Sequence, residues 1–197
     1  YMERVLRYSA LEIGLAFLPQ TLLVGALSLG FSERLIIRFG AKATLLPGLV
    51  LILAGLLLFA RTPVDASFVV DLLPAQLLLG TGFGLAYSSL MTLAMSGATE
   101  SDAGLASGLV NTTLQVGGAL GLAVLATLSV SRTENRLAEG ASNASALTSG
   151  YHLAFAIGAG LVAAAIVVAA TVLKRETPAR EAEEEAPDAA PAISEAA

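Results

Sequence analysis

Five apolar stretches, each long enough to cross a bilayer, constrain this chain more than any other feature. A spanning helix needs about 20 mostly apolar residues. The candidates run over about 11–31 (LEIGLAFLPQTLLVGALSLGF), 44–60, 71–97, 103–130 and 151–173. At 1.5 Å per residue the last is about 34 Å long, enough for a hydrocarbon core of about 30 Å. None of the five alternates apolar and polar residues with the period of two that a barrel strand needs. Hydrophobic residues make up 55% of the chain and charged residues 14%, so there are too few charges to coat a soluble globule. Mean hydropathy is +0.76. The expected fold is an all-α integral membrane protein, a bundle of about five transmembrane helices over residues 1–173.

Composition removes several chemistries. There is no cysteine, which excludes a disulfide scaffold, a thiolate zinc site and a cysteine nucleophile. A single histidine, His152, cannot form a histidine metal cluster. The formal net charge of −5 belongs mostly to residues 174–197. That segment holds seven acids (Glu176, Glu181, Glu183, Glu184, Glu185, Asp188 and Glu195) and three bases (Lys174, Arg175 and Arg180), a net of −4. It is rich in Ala, Glu and Pro and reads as a disordered acidic tail. No basic stripe suits nucleic acid.

The connections are short and polar except for residues 132–150 (RTENRLAEGASNASALTSG), expected as a longer loop of small residues. Loops alternate sides of the membrane. One side collects Arg34, Arg38, Lys42, Lys174, Arg175 and Arg180, and the other collects Arg4, Arg7, Arg61, Arg132 and Arg136. The tighter cluster on the first side favours a cytoplasmic C-terminus. The chain opens Tyr1-Met2-Glu3-Arg4 with no signal segment, which suggests that it begins partway through a larger protein.

Small and polar residues are unevenly distributed. Glycine pairs at i and i+4, which let helices approach closely in lipid, occur at Gly80/Gly84, Gly104/Gly108 and Gly117/Gly121. The second and fifth stretches are almost free of mid-span polar groups. The first carries Gln20, Thr21 and Ser28. The third carries Gln76, Tyr87, Ser88, Ser89 and Thr92, and the fourth carries Asn111, Thr112, Thr113 and Gln115. Amides in hydrocarbon need partners, so these helices are expected to face protein or a watery cavity. Interhelical hydrogen bonding is the simpler reading for any one of them. Glu12, Glu33, Asp71 and Asp102 all fall near helix ends, leaving no obvious proton carrier in mid-membrane.

Three segments resemble the major facilitator superfamily, in particular the last part of its fourteen-helix drug:proton antiporter branch. They are YMERVLRYSALEIGLAFLP (1–19), ERLIIRFGAK (33–42) and ESDAGLASGLVNTTLQVGGALGLAVLAT (100–127). Leu35, Arg38, Gly40 and Lys42 match the family's cytoplasmic loop motif, while Glu33 and Ile37 depart from it. Many relatives carry an Arg where Leu114 precedes Gln115 here. The resemblance implies that the second and fifth helices are outer supports. It also implies alternating access around a midplane site that needs the missing N-terminal helices of the same transporter.

The resulting expectation is the C-terminal part of a secondary active transporter in a bacterial plasma (inner) membrane. It would export drugs or other small apolar or cationic compounds, with the proton gradient as coupling source and no cofactor. The partners would be the lipid bilayer and a small-molecule substrate. Gln20, Tyr87, Asn111 and Gln115 are the candidate pathway groups, with the Tyr87 ring available to a cation. The alternatives are a non-transporting scaffold or interaction subunit, and an intramembrane serine protease using Ser107 and His152.

Overall fold

The computed structural model describes residues 1–99 and 101–173. The acidic segment 174–197 lies outside the described residues. Among the described residues the chain is helical, with no strand. Its helices are α1 (Ala10–Ala26), α2 (Ser32–Phe39), α3 (Ala41–Phe59), α4 (Leu73–Met95), α5 (Ala103–Ala138) and α6 (Asn143–Val172). Among the described residues, five helical segments are long and apolar enough to cross a membrane.

Helix α1 starts at a capping box. Ser9 Oγ accepts from the Glu12 N–H at 3.4 Å, and Glu12 Oε2 accepts from the Ser9 N–H at 2.7 Å. A wide turn over Leu27–Phe31 ends this span, with Gly30 at φ 115°, a left-handed conformation that glycine adopts without a Cβ clash. The chain then re-enters a helix. Residues 33–42, expected as a loop, instead form the short helix α2, a swivel at Gly40 (φ 87°) and the first turn of α3. Leu35 and Ile36 are half-buried, while Glu33, Arg34 and Arg38 are exposed. This two-sided character suits a helix lying at the membrane surface.

The largest correction concerns residues 132–150. Helix α5 runs 36 residues to Ala138, about 54 Å and well beyond the bilayer core. Helix α6 begins at Asn143, so a turn over 139–142 replaces the long loop. Gly140 at φ 86° closes α5, and Ser142 Oγ caps α6 by accepting from the Ser145 N–H at 3.4 Å. The Arg136–Glu139 pair at 2.6 Å is the only ion pair among the described residues.

The helices pack as neighbours in the order α1, α4, α3, α6, α5. Glycines set the closest approaches. A Cβ built on Gly82 of α4 would stand 2.6 Å from the Gly48 carbonyl oxygen of α3. One on Gly150 of α6 would stand 2.5 Å from the Ser129 carbonyl oxygen of α5. Gly80 lies against Gln20 and Gly84 against Leu27, both on the α1 side of α4. None of the residues of α5 is buried.

Candidate functional site

The polar residues of the spanning helices divide by chemistry. Hydroxyls bond back to the carbonyl one turn earlier: Thr21 to Phe17 at 3.0 Å, Thr81 to Leu77 at 2.8 Å, Ser89 to Leu85 at 2.8 Å and Thr112 to Gly108 at 2.8 Å. They are satisfied within their own helix, so the expected interhelical bonding is not needed for them. Ser32 instead donates to the Gly84 carbonyl across to α4 at 3.2 Å, and the buried Thr148 hydroxyl has no partner among the described residues.

The four candidate pathway residues occupy three settings. Gln20 lies across Gly80, where the absent Cβ leaves room for its methylenes, and it lines a cavity beside Phe17, Phe59 and Phe155. Tyr87 is 44% exposed and stacks on Phe83 one turn earlier, with ring centroids 5.9 Å apart. One ring face of Tyr87 is therefore taken. Asn111 and Gln115 sit on α5 and are exposed, and Asn111 Nδ2 donates to the Ser107 carbonyl at 3.0 Å. Gln20 is thus enclosed with α4, while the α5 amides face away from the other helices described. Gln76 was legible only as one more mid-span polar residue, yet it is the most enclosed amide, 1% exposed and bordering the same cavity as Gln20.

The candidate packing glycines also separate. Gly80 and Gly84 meet α1, but Gly104, Gly108, Gly117 and Gly121 have nothing within 4 Å of a built Cβ. Gly48, Gly55, Gly82 and Gly150, not singled out by i, i+4 spacing, make close contacts. Their partners lie on other helices, which spacing along one helix does not reveal.

Each end of the bundle carries its own tie. At one end the Lys42 ammonium donates to the carbonyls of Ala170 and Leu173, at 2.8 and 2.5 Å. Of the other loop-motif residues, Leu35 is half-buried, Gly40 is the swivel, and Arg38 lies 5.3 Å from the ring centroid of Phe39. At the other end His152 Nε2 is 2.7 Å from the Thr62 carbonyl oxygen. Nearby the Tyr1 hydroxyl donates to the Pro63 carbonyl, and its ring meets Tyr151 edge-on at 6.1 Å. Burial pushes the Tyr1 phenol up to about 12, assisted by Asp71 and Asp65.

This arrangement disposes of the protease alternative. Gly150, two residues before His152, packs on Ser129, and Ser107 lies 22 residues earlier on the same continuous α5. At 1.5 Å per residue the separation is about 33 Å, against the roughly 3 Å a nucleophile–base pair requires. Among the described residues no cluster of three metal-ligating side chains occurs.

The sequence profile of the Major Facilitator Superfamily matches residues 1–122. The puromycin resistance protein pur8 of Streptomyces alboniger is 32% identical over 185 residues, 91% of this chain and 37% of that protein. The cephamycin export protein CmcT of Amycolatopsis lactamdurans is 36% identical over 142 residues, 72% of this chain and 29% of that protein. The tetracenomycin C resistance and export protein of Streptomyces glaucescens is 34% identical over 134 residues, 67% of this chain and 24% of that protein. The chain therefore spans between 24% and 37% of the length of these relatives. A profile match over well over half of the residues, on a bundle of five membrane-length apolar helices, settles the family: the chain belongs to the major facilitator superfamily.

Proposed function

We propose that this chain is the C-terminal part of a multi-pass exporter that moves drug-like, apolar or cationic compounds out of the cell across the plasma membrane. No covalent chemistry is involved. Solute binds differently in inward-open and outward-open states, and the proton gradient drives the exchange between them. The other helices of the same transporter would complete the pathway, and the C-terminus would be cytoplasmic.

The observation that carries this reading is α5. It is long enough to span the membrane, none of its residues is buried, and it presents Asn111, Thr113 and Gln115 within its apolar portion. Lipid tails offer amides no hydrogen-bond partner, so this surface suits a solute path or the facing half of a larger carrier. The relatives named for antibiotic resistance or export favour the solute path. Among the described residues Glu12, Glu33, Asp71 and Asp102 lie at or near helix ends. The coupling carboxylate is therefore assigned to the rest of the transporter.

The test is efflux of puromycin and ethidium from cells expressing the full-length protein, with and without a protonophore. Gradient-dependent efflux of either compound supports the proposal. Efflux of neither, or efflux indifferent to collapse of the gradient, overturns it.

A further inference from the structure

Helix α2 is set at the membrane surface by the elements on either side of it. Helix α1 covers 17 residues, about 26 Å, and the wide turn over Leu27–Phe31 uses up the rest of a hydrocarbon core of about 30 Å. Helix α3, 19 residues long, starts straight after Gly40 and crosses back. The eight residues of α2 therefore lie at headgroup depth between two spans. They are fixed at both ends. Buried Ser32 donates to the Gly84 carbonyl of α4, and Lys42, two residues past Gly40, donates to the last carbonyls of α6. Leu35 and Ile36 are half-buried and form the inward side of α2. Arg34 and Arg38 stand one turn apart on the outward side, exposed, and neither makes an ion pair among the described residues. Around them Phe31, Ile37 and Phe39 are each more than half exposed, and Arg38 lies 5.3 Å from the Phe39 ring centroid.

We propose that the outward face of α2 binds an anionic phospholipid of the phosphatidylglycerol type, with Arg34 and Arg38 on its phosphate. Residues at i and i+4 of a helix stand about 5–6 Å apart at Cβ. Both guanidinium forks therefore reach one phosphodiester and donate to its oxygens. Phe31, Ile37 and Phe39 meet the glycerol and the upper acyl chains, which cover apolar surface that water would otherwise face. With one acid, Glu33, against two arginines, α2 has a net charge of +1, which suits a headgroup of single negative charge. The acidic segment 174–197 is a rival for these arginines, since it follows the α6 end that Lys42 holds. That segment brings carboxylates but little apolar surface for Phe31, Ile37 and Phe39, whereas a phospholipid brings both. The site does not depend on export by the whole protein, because it is built from helices of this chain.

The test uses full-length protein in a neutral detergent. Native mass spectrometry counts bound lipid during titration with dioleoyl phosphatidylglycerol or dioleoyl phosphatidylcholine, which share acyl chains and differ in charge. The wild type is expected to bind the first about tenfold more tightly. Arg34→Gln with Arg38→Gln should bring the two lipids within about twofold, while Arg34→Lys with Arg38→Lys should keep most of the preference. Arg4→Gln with Arg61→Gln removes two exposed arginines from the opposite end of the bundle and should change nothing. Millimolar glycerol 3-phosphate should not displace the lipid, because it lacks the acyl chains. A wild type that does not discriminate overturns the proposal. So does a preference lost equally in the Lys pair or in the Arg4 and Arg61 pair, or displacement by glycerol 3-phosphate. A several-fold gain in phosphatidylglycerol binding on combining Glu181→Gln, Glu183→Gln, Glu184→Gln and Glu185→Gln overturns it too, since the acidic segment would then be the occupant.

Discussion

The ammonium of Lys42, in the first turn of α3, lies 2.5 Å from the carbonyl oxygen of Leu173 and 2.8 Å from that of Ala170 at the end of α6. The terminal carbonyls of a helix lack intrahelical partners and carry the negative end of its dipole. A lysine 128 residues earlier in the chain satisfies two of them. The resemblance marked Lys42 as a loop-motif residue, and the structure shows the contact it makes. Lys42→Met is expected to lower stability by about 1 kcal/mol, roughly 2–4 °C in a domain of this size. Lys42→Arg, which keeps the charge and the reach, should recover most of it. Thermal unfolding of the full-length protein in detergent checks both.

The α3–α4 seam makes a sharper prediction. A Cβ at Gly82 would meet the Gly48 carbonyl oxygen at 2.6 Å and the Ile52 backbone nitrogen at 2.8 Å. Backbone cannot swing aside as a side chain can, so the helices must separate. Gly82→Ala should cost about 1–3 kcal/mol, as overpacking does elsewhere. Gly160 on α6 has nothing within 4 Å, so Gly160→Ala should be neutral or slightly stabilising through helix propensity. Yield of monodisperse protein and its melting temperature distinguish the two. Equal behaviour of both variants would refute the seam.

What was legible from sequence was whatever lipid dictates. The span positions follow from apolar length alone, and the four-residue turn after α5 does not, because Arg132 to Ala138 continue the helix past the membrane, where hydropathy is silent. The stop at Gly140 and the cap at Ser142 are local signals that were outweighed by the small-residue composition of 132–150. Glycine spacing identified smooth helix faces but not their partners. Gly80 and Gly84 meet α1, whereas Gly104, Gly108, Gly117 and Gly121 meet nothing within 4 Å. For the amides the limit was the same. Gln76 and Gln115 look alike in a sequence, yet one is sealed between helices and the other exposed, a difference created only by tertiary packing.

Tyr1 provides a pH dependence. Its phenol is held at about 12 against an ordinary 10 by burial, with Asp71 and Asp65 adding repulsion to the phenolate. The folded state therefore retains the proton more tightly than the unfolded state. Its stabilising effect is fully present below about pH 10 and is lost as pH rises from about 10 to about 12. Tyr1→Phe removes both the titration and the hydrogen bond to the Pro63 carbonyl. The variant should start less stable at pH 8 and show a shallower decline above pH 10 than the wild type. Denaturation midpoints across this interval decide the point.

Gln115 carries the prediction closest to export. It is exposed on α5, a helix with no buried residue among those described. Replacing it with Leu leaves helix propensity nearly unchanged and removes no contact seen between the helices of this chain. Expression and melting temperature should hold. If Gln115 faces the solute, compounds that hydrogen-bond to it lose about 1 kcal/mol, a rise of roughly fivefold in the concentration for half-maximal efflux. Purely apolar compounds should be exported as well as before or better, because the desolvation of an amide is removed. Asn111→Leu should act in the same direction but more weakly, since Asn111 Nδ2 already donates to the Ser107 carbonyl and offers less to a ligand. Half-maximal efflux concentrations for a panel graded by hydrogen-bonding capacity test the ordering. A uniform change across the panel would place Gln115 against another helix instead of the solute.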